Sequence, residues 1–287
     1  MGIFTVPVQT RNTRIYVSAS EHIPNVQLTL FKNEVRCEFD DGFLILPVPY
    51  PHTVRFHHPP PHPINSVPYL EFVNQVEAAF DSRDYRASSR AISSLPPIHH
   101  IGHYEVVEVV ESIQHLRNMN AYDWMLSSQT IDEMAEIYSE PYWGFILLRV
   151  LEGDFVYEPL CYTHQSIRDK LFIPALLHIP QNFQDVHIQE ETNRFDDRYF
   201  INGTDLPTQL DRKIIEVNPS RLNMIHWGAL PPAFQSPLRY FLCETRRGLS
   251  LNRDLFYPIN PSIVHDISPH HRHRFHPEDE RIPPPWW

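Results

Sequence analysis

The stretch YWGFILLRVLEGDFVYEPLCYTHQSIRDKLFIPALLHIP, residues 142–180, predicts three successive β-strands that form the core sheet. The runs 145–151 and 155–162 are apolar and rich in residues that favour strands, and Glu152, Gly153 and Asp154 divide them. A short polar loop with Gly predicts a hairpin, because Gly adopts the positive φ that a tight turn requires. The run 171–179 supplies a third strand. The stretch therefore predicts an antiparallel meander.

Strand-like runs also precede this stretch, at 3–8, 14–18, 26–31, 35–39 and 43–48. Two segments instead show helical periodicity. The first, 69–80, places six apolar or aromatic side chains on one face, and these are Tyr69, Phe72, Val73, Val76, Ala79 and Phe80. The second, 130–138, follows a capping box formed by Thr130 and Glu133. We predict a single α+β domain over residues 1–262, with a predominantly antiparallel β-sheet and a few short covering helices, followed by an extended tail over 263–287.

Composition narrows the class of protein. The chain has 28 Pro and 8 Gly, which predicts many strand ends and stiff loops. Its net charge of −11 argues against nucleic acid as a general partner. No apolar run is long enough to predict a membrane span, and no secretory signal is recognisable. Three widely spaced cysteines indicate a reducing compartment. We therefore expect an intracellular (cytoplasmic) or virion protein that is not secreted.

Four short motifs carry a resemblance to a known family. They are the ILPVP segment at 45–49, the GF pair at 144–145, YTH at 162–164 and LFIP at 171–174. In this order they resemble a family, with no assigned activity, that is found in large DNA viruses, protists and some bacteria. The resemblance covers roughly residues 26–202. It implies a shared fold unit and a similar range of hosts, and it implies no mechanism.

The clearest candidate for chemistry is a metal site that uses His164 and His178, which close two neighbouring predicted strands. Histidine is a common ligand of transition metals, so zinc or iron would be the cofactor. In the family that the chain resembles, a TRHxH run follows the LFIP strand and a DH pair comes later. Here residues 175–179 read ALLHI and residues 196–198 read DDR, so ligand-type histidines are missing. The alternative is that each histidine forms a hydrogen bond at a strand end, and that no cofactor is bound.

Other groups of candidate residues have simpler explanations. His99, His100 and His103 precede Glu105, and His103 and Glu105 would share a strand face, but no third ligand is evident. A second cluster, in the tail, comprises His270, His271, His273 and His276. These histidines would either bind metal or respond to pH, or they would simply be solvated. Cys161 and His164 lie three apart on a predicted strand, so their side chains point to opposite faces and form no catalytic dyad.

The sequence contains no recognisable nucleotide-binding loop, nucleophile elbow or zinc-protease motif. It ends in Pro283, Pro284, Pro285, Trp286 and Trp287. The prolines hold an extended arm, and the two indoles offer a large apolar surface of the kind that is enriched at binding hot spots. We therefore predict a non-enzymatic structural or interaction protein. Its arm would dock on other protein subunits of an assembly, such as a large-virus particle, or on symmetry mates. The alternatives are an arm that folds back on its own domain, and a metal-dependent enzyme using His164 and His178.

Overall fold

A computed structural model describes most of the chain. The described residues are 2–20, 22–40, 42–58, 68–80, 100–120, 126–167, 169–180, 193–204, 214–217, 219–238, 240–250 and 252–259. The predicted tail, 263–287, lies outside them, so the division into one domain and a tail stays a prediction.

Strands dominate the described residues. They are β1 (Gly2–Phe4), β2 (Val8–Ala19), β3 (Val26–Cys37), β4 (Gly42–Pro49), β5 (Arg55–Phe56), β6 (His100–Gly102), β7 (Glu105–Val110), β8 (Trp143–Val150), β9 (Gly153–Tyr157), β10 (Leu160–Gln165), β11 (Lys170–Ile173), β12 (Leu177–His178), β13 (Asn193–Asn202), β14 (Ile214–Glu216), β15 (Phe241–Ser250) and β16 (Leu255–Pro258). The helices are α1 (Pro68–Phe80), α2 (Ile113–Asn120) and α3 (Ser128–Ile137), with short 3-10 turns at Pro51–Thr53, Pro219–Met224, Trp227–Ala229 and Pro232–Phe234.

The strands form two large sheets and one small one. Sheet 1 has the order β12-β1-β4-β8-β7. Sheet 2 has the order β14-β15-β13-β2-β3-β10-β5, with β9 also paired to β3 and β6 paired to β9. β11 and β16 form the small sheet. Among the described strands, the pairs β1–β12, β2–β13 and β6–β9 are parallel and the other pairs are antiparallel. The predicted α+β class with mostly antiparallel sheet is confirmed.

Alternate side chains of each sheet enter different cores, which reveals a layered arrangement. On β2, Ile15 and Val17 pack in the core between the two sheets, whereas Tyr16 packs in the core beneath α1. On β8, Ile146 faces the inter-sheet core and Phe145 faces the core beneath α2 and α3. The order of layers is therefore α2 and α3, sheet 1, sheet 2, and α1. Strands buried on both faces read as continuous apolar runs, which explains the sequence of β8.

The predicted meander over 142–180 is wrong. β8 pairs with β4 and β7 in sheet 1, whereas β9 pairs with β3 and β6 in sheet 2, so Gly153 is no hairpin turn. The run 155–162 is two strands, because Pro159 interrupts it between β9 and β10. The run 171–179 is likewise divided into β11 and β12. The chain crosses between sheets where the local pattern predicts a turn within one.

The two predicted helices are present, with one correction. α1 buries the predicted face. α3 begins earlier than predicted, since its N-cap is Ser127, whose Oγ accepts a hydrogen bond from the Thr130 N–H at 3.0 Å. Thr130 is itself buried in the first turn. In the part of the chain that the structure describes, no helix is long and apolar enough to cross a lipid bilayer.

Candidate functional site

His164 is enclosed in the protein on β10, where it is 1% exposed. Its Nδ1 lies 2.9 Å from the carbonyl oxygen of Gln165, so Nδ1 carries the proton and donates it. Nε2 is buried without a hydrogen-bond partner. Burial lowers the pKa of this imidazole to about 4, which keeps it neutral at physiological pH. His164 therefore presents one unprotonated nitrogen inside the fold.

His178 lies on β12 in sheet 1, whereas His164 lies in sheet 2. Both side chains are buried. Within the described residues, no group of three His, Cys, Asp or Glu side chains is arranged to hold a metal ion. The metal site stays a prediction, and elemental analysis of wild-type and His164→Ala protein tests it. Stoichiometric zinc or iron that is lost in the variant would support the site, and metal that a chelator removes equally from both would contradict it.

Cys161 belongs to a different core from its neighbour. It packs beneath α1, whereas Tyr162 packs between the sheets. Burial raises the pKa of the Cys161 thiol to about 12, and Cys243 is held in the same state for the same reason. A protonated, enclosed thiol is a poor nucleophile. The geometry agrees with the inference that Cys161 and His164 form no dyad.

The remaining predicted residues contribute no assembled site to the described part of the chain. His103 lies between β6 and β7, and both His103 and Glu105 are exposed. His99, the tail histidines His270, His271, His273 and His276, and the arm formed by Pro283, Pro284, Pro285, Trp286 and Trp287 lie outside the described residues. The predicted docking arm therefore stays a prediction.

Helix α1 packs closely on sheet 2. The buried face of α1 packs against aromatic and aliphatic side chains of β2, β3, β13 and β15. Edge-to-face ring contacts fix its position, with ring centroids 5.1 Å apart between Phe72 and Tyr16 and 5.0 Å apart between Phe80 and Phe241. α1 is thus anchored along its length.

A buried carboxyl group holds the first turn of α1. Glu158, in the turn between β9 and β10, is 5% exposed. Its Oε1 accepts hydrogen bonds from the N–H groups of Tyr69 at 3.0 Å and Leu70 at 3.3 Å, while Oε2 is buried without a partner. Burial raises the pKa of Glu158 to about 7, and the two N–H donors only partly offset this. A helix N-terminus is therefore capped by a carboxyl group that binds a proton much more readily than an ordinary carboxylate does.

A second carboxylate holds the last turn of α1. Glu77 Oε1 lies 3.0 Å from Arg14 Nη2 on β2 and 3.1 Å from Arg198 Nη1 on β13. Both arginine side chains are mostly buried, with exposed fractions of 9% and 14%. Two guanidinium groups on neighbouring strands thus share one carboxylate. Charge pairs of this kind fix orientation, because either partner alone would be a costly buried charge.

Sequence reasoning missed both carboxyl groups. Glu158 and Tyr69 are 89 positions apart, and Glu77 and Arg14 are 63 apart, so no local pattern joins them. The available signals were Glu158 inside an apolar run and Glu77 on the polar side of the predicted helix, and neither identifies a partner. Together, Glu158 and Glu77 fix the two ends of α1 to sheet 2.

Comparison with solved structures identifies a similar fold. The crystal structure of baculovirus P35 matches with a TM-score of 0.50 and 10% sequence identity, over 90% of this chain and 99% of that one. A crystal structure of a mutated baculovirus P35 after caspase cleavage matches with a TM-score of 0.43, 7% identity and coverage of 86% and 99%. The crystal structure of the caspase-8/P35 complex matches with a TM-score of 0.41, 8% identity and coverage of 87% and 96%.

The match to baculovirus P35 with a TM-score of 0.50 shows the fold alone. At 10% identity, no individual residue of P35 is carried over to this chain. No protein-family model matches the sequence, and no curated protein matches it. The resemblance to the family with the ILPVP, GF, YTH and LFIP motifs stays untested. Over 90% of its length, the chain is similar in fold to a baculovirus protein.

Proposed function

We propose that this chain acts by binding another protein rather than by catalysis. The thiols of Cys161 and Cys243 are enclosed and protonated, and His164 is enclosed and neutral. These groups suit a packed core better than a reactive centre. Helix α1, which Glu158 and Glu77 anchor at its two ends, is a surface element that is held in place. Such rigidity favours recognition, because a pre-organised element loses little entropy when a partner binds.

The partner that we favour is a protease of the caspase class. The single observation that carries this choice is the fold shared with baculovirus P35 over 90% of this chain. P35 is a protein that has been crystallised in complex with caspase-8 and after caspase cleavage. A fold can host unrelated functions, so the shared fold supports the proposal by analogy and a direct test decides it.

The described aspartates restrict where a caspase, which cleaves after aspartate, would act on this chain. Asp197 is buried, and Asp254 accepts three hydrogen bonds inside the fold. Asp132 lies within α3 and Asp154 lies on the paired strand β9. Cleavage at these positions would require local unfolding, since a protease binds an extended, accessible backbone. By contrast, the described residues Asp40, between β3 and β4, and Asp169, between β10 and β11, are exposed, and the sequence contains further aspartates, so the experiment should leave the position of the cut open.

The test is a titration of the full chain against caspase-8, with hydrolysis of a short fluorogenic peptide as the readout. We expect hydrolysis of the peptide to fall as this chain is added in excess, and a cut in this chain in the denatured mass spectrum. Asp→Ala at the mapped position should abolish inhibition while the melting temperature stays unchanged. Undiminished protease activity in excess of this chain, with no cut and no complex, would contradict the proposal.

A second candidate is a component of a larger assembly, such as a large-virus particle, and it rests on the C-terminal arm. Three prolines limit the entropy lost on docking, and Trp286 and Trp287 would fill an apolar groove on a neighbouring subunit. Deletion of 263–287 tests this role by light scattering and thermal melting. Loss of assembly with an unchanged melting temperature would support docking in trans. A destabilised monomer, or a full-length chain that is monomeric at all concentrations, would contradict it.

A further inference from the structure

Glu158 is a buried carboxyl group whose two oxygens have different surroundings. Oε1 accepts two N–H groups at the start of α1, at 3.0 and 3.3 Å, and Oε2 is buried without a partner. An ionised carboxylate spreads its charge over both oxygens, so half of that charge loses its hydration without a replacement. Burying such a charge costs more free energy than the two hydrogen bonds and the helix dipole return. The neutral acid still accepts both N–H groups through its carbonyl oxygen, and an unpaired O–H costs less free energy than an unpaired charge.

The groups around Glu158 do not compensate its charge. On α1, the exposed Glu71 repels it. The Tyr69 hydroxyl donates to the carbonyl oxygen of His58, and the Cys161 thiol on β10 is neutral. His57 lies beside Thr163, and burial lowers the pKa of its imidazole, which favours the neutral form. Among the described residues, no cation is a cause of the pKa shift of Glu158.

We propose that the contact between Glu158 and the first turn of α1 is a proton-operated latch, in which the protonated acid seats α1 on sheet 2 and the ionised form loosens it. The inference concerns the anchoring of α1 and stands independently of the partner proposed above. Only the N-terminal half of α1 depends on this latch, because Glu77, Arg14 and Arg198 hold the other end.

The direction of the pH dependence follows from linkage. The pKa of Glu158 is raised from an ordinary value of 4.5 to about 7 in the folded protein. A raised pKa means that folding takes up a proton. The stability that this group contributes is fully present below about pH 4.5 and is lost as the pH rises through about 7. α1 should therefore be better protected in mild acid than in mild base, which is opposite to the behaviour of an ordinary carboxylate cap.

The experiment is hydrogen–deuterium exchange of the full chain at pH 5.5 and 8.5, with labelling times corrected for intrinsic exchange rates. In the wild type, peptides from the first turns of α1 should be about thirtyfold less protected at pH 8.5 than at pH 5.5. Peptides from β4 in sheet 1 serve as the internal reference. Equal protection of α1 at the two pH values would overturn the proposal without any variant.

Two variants sharpen the result. Glu158→Gln keeps an oxygen acceptor but cannot ionise, so the pH difference at α1 should vanish and protection at pH 8.5 should exceed that of the wild type. Glu136→Gln makes the same change at an exposed site on α3 and should leave the difference intact. A pH difference that persists in Glu158→Gln, or that disappears equally in Glu136→Gln, would show that another group controls α1.

Discussion

At the scale of single residues, His164 and Glu158 place opposite pH dependences in one fold. Burial is the dominant cause for both, but it lowers the pKa of a base and raises the pKa of an acid. Acidification therefore lowers the contribution of His164 to the free energy of unfolding and raises that of Glu158. A wild-type pH profile will contain both effects, so each is measured as a difference between a variant and the wild type.

His164→Asn should remove part of the acid sensitivity of the protein. The pKa of His164 is lowered from 6.5 to about 4, so its contribution to stability is present above pH 6.5 and is lost as the pH falls towards 4. Between pH 7 and pH 5 this loss amounts to about 2 kcal/mol in the wild type. An Asn side chain can keep the hydrogen bond to the Gln165 carbonyl without titrating. Urea unfolding at both pH values measures the difference, and an unchanged pH dependence in the variant would contradict the assignment.

Asn252 is a second residue whose role is open to direct measurement. Its amide pairs with the backbone of Leu177 on β12, accepting from the N–H at 2.7 Å and donating to the carbonyl at 2.7 Å. Asn252→Ala leaves two buried backbone groups unpaired and should cost about 2–4 kcal/mol of unfolding free energy. The matched control is Asn118→Ala on the exposed side of α2, which should change stability by less than about 0.5 kcal/mol. Equal effects in the two variants would show that Asn252 does not hold β12.

At the scale of elements, the Glu77 charge pair predicts how strongly α1 is held at its C-terminal end. Glu77→Gln leaves Arg14 and Arg198 mostly buried beside a neutral amide, and it should cost about 1–3 kcal/mol because the site is partly exposed. Glu71→Gln removes the same charge from the exposed face of the same helix and should be nearly neutral. Equilibrium unfolding in urea gives both values. A variant at Glu77 that is as stable as the one at Glu71 would contradict the anchoring role.

The sequence predicts helix α1 correctly and the pairing of β8 and β9 incorrectly. Helical periodicity at Tyr69, Phe72 and Val76 predicted α1 correctly, because an amphipathic face depends only on local spacing. The pairing of β8 and β9 was wrong, because β8 joins β4 about a hundred positions earlier, and no turn residue reports such a register.

The candidate site was harder to predict than the fold. His164 was correctly placed at a strand, but its enclosed, neutral state results from packing between sheets that the sequence does not reveal. Glu158 was overlooked because an acidic residue inside an apolar run predicts nothing until its helix N-terminus is known. Both are tertiary effects on an ionisable group, and these depend on neighbours that are distant in sequence.

At the scale of the whole molecule, the described residues form four layers, in a fold similar to that of baculovirus P35. The central strands of the two large sheets are buried on both faces by each other and by helices, so we expect recognition to use helices, edges and connections. For a chain with this fold, the proposal to be tested is that it forms a complex with a caspase-class protease.

The most direct test of that claim is the molar mass of a mixture of this chain with caspase-8 whose nucleophilic cysteine is replaced by alanine, measured by size-exclusion chromatography with light scattering. Because this protease cannot cleave, the measurement isolates binding from catalysis. We predict a co-eluting complex with the summed mass of the partners at micromolar concentration. Two separate peaks at the masses of the individual proteins would contradict the account.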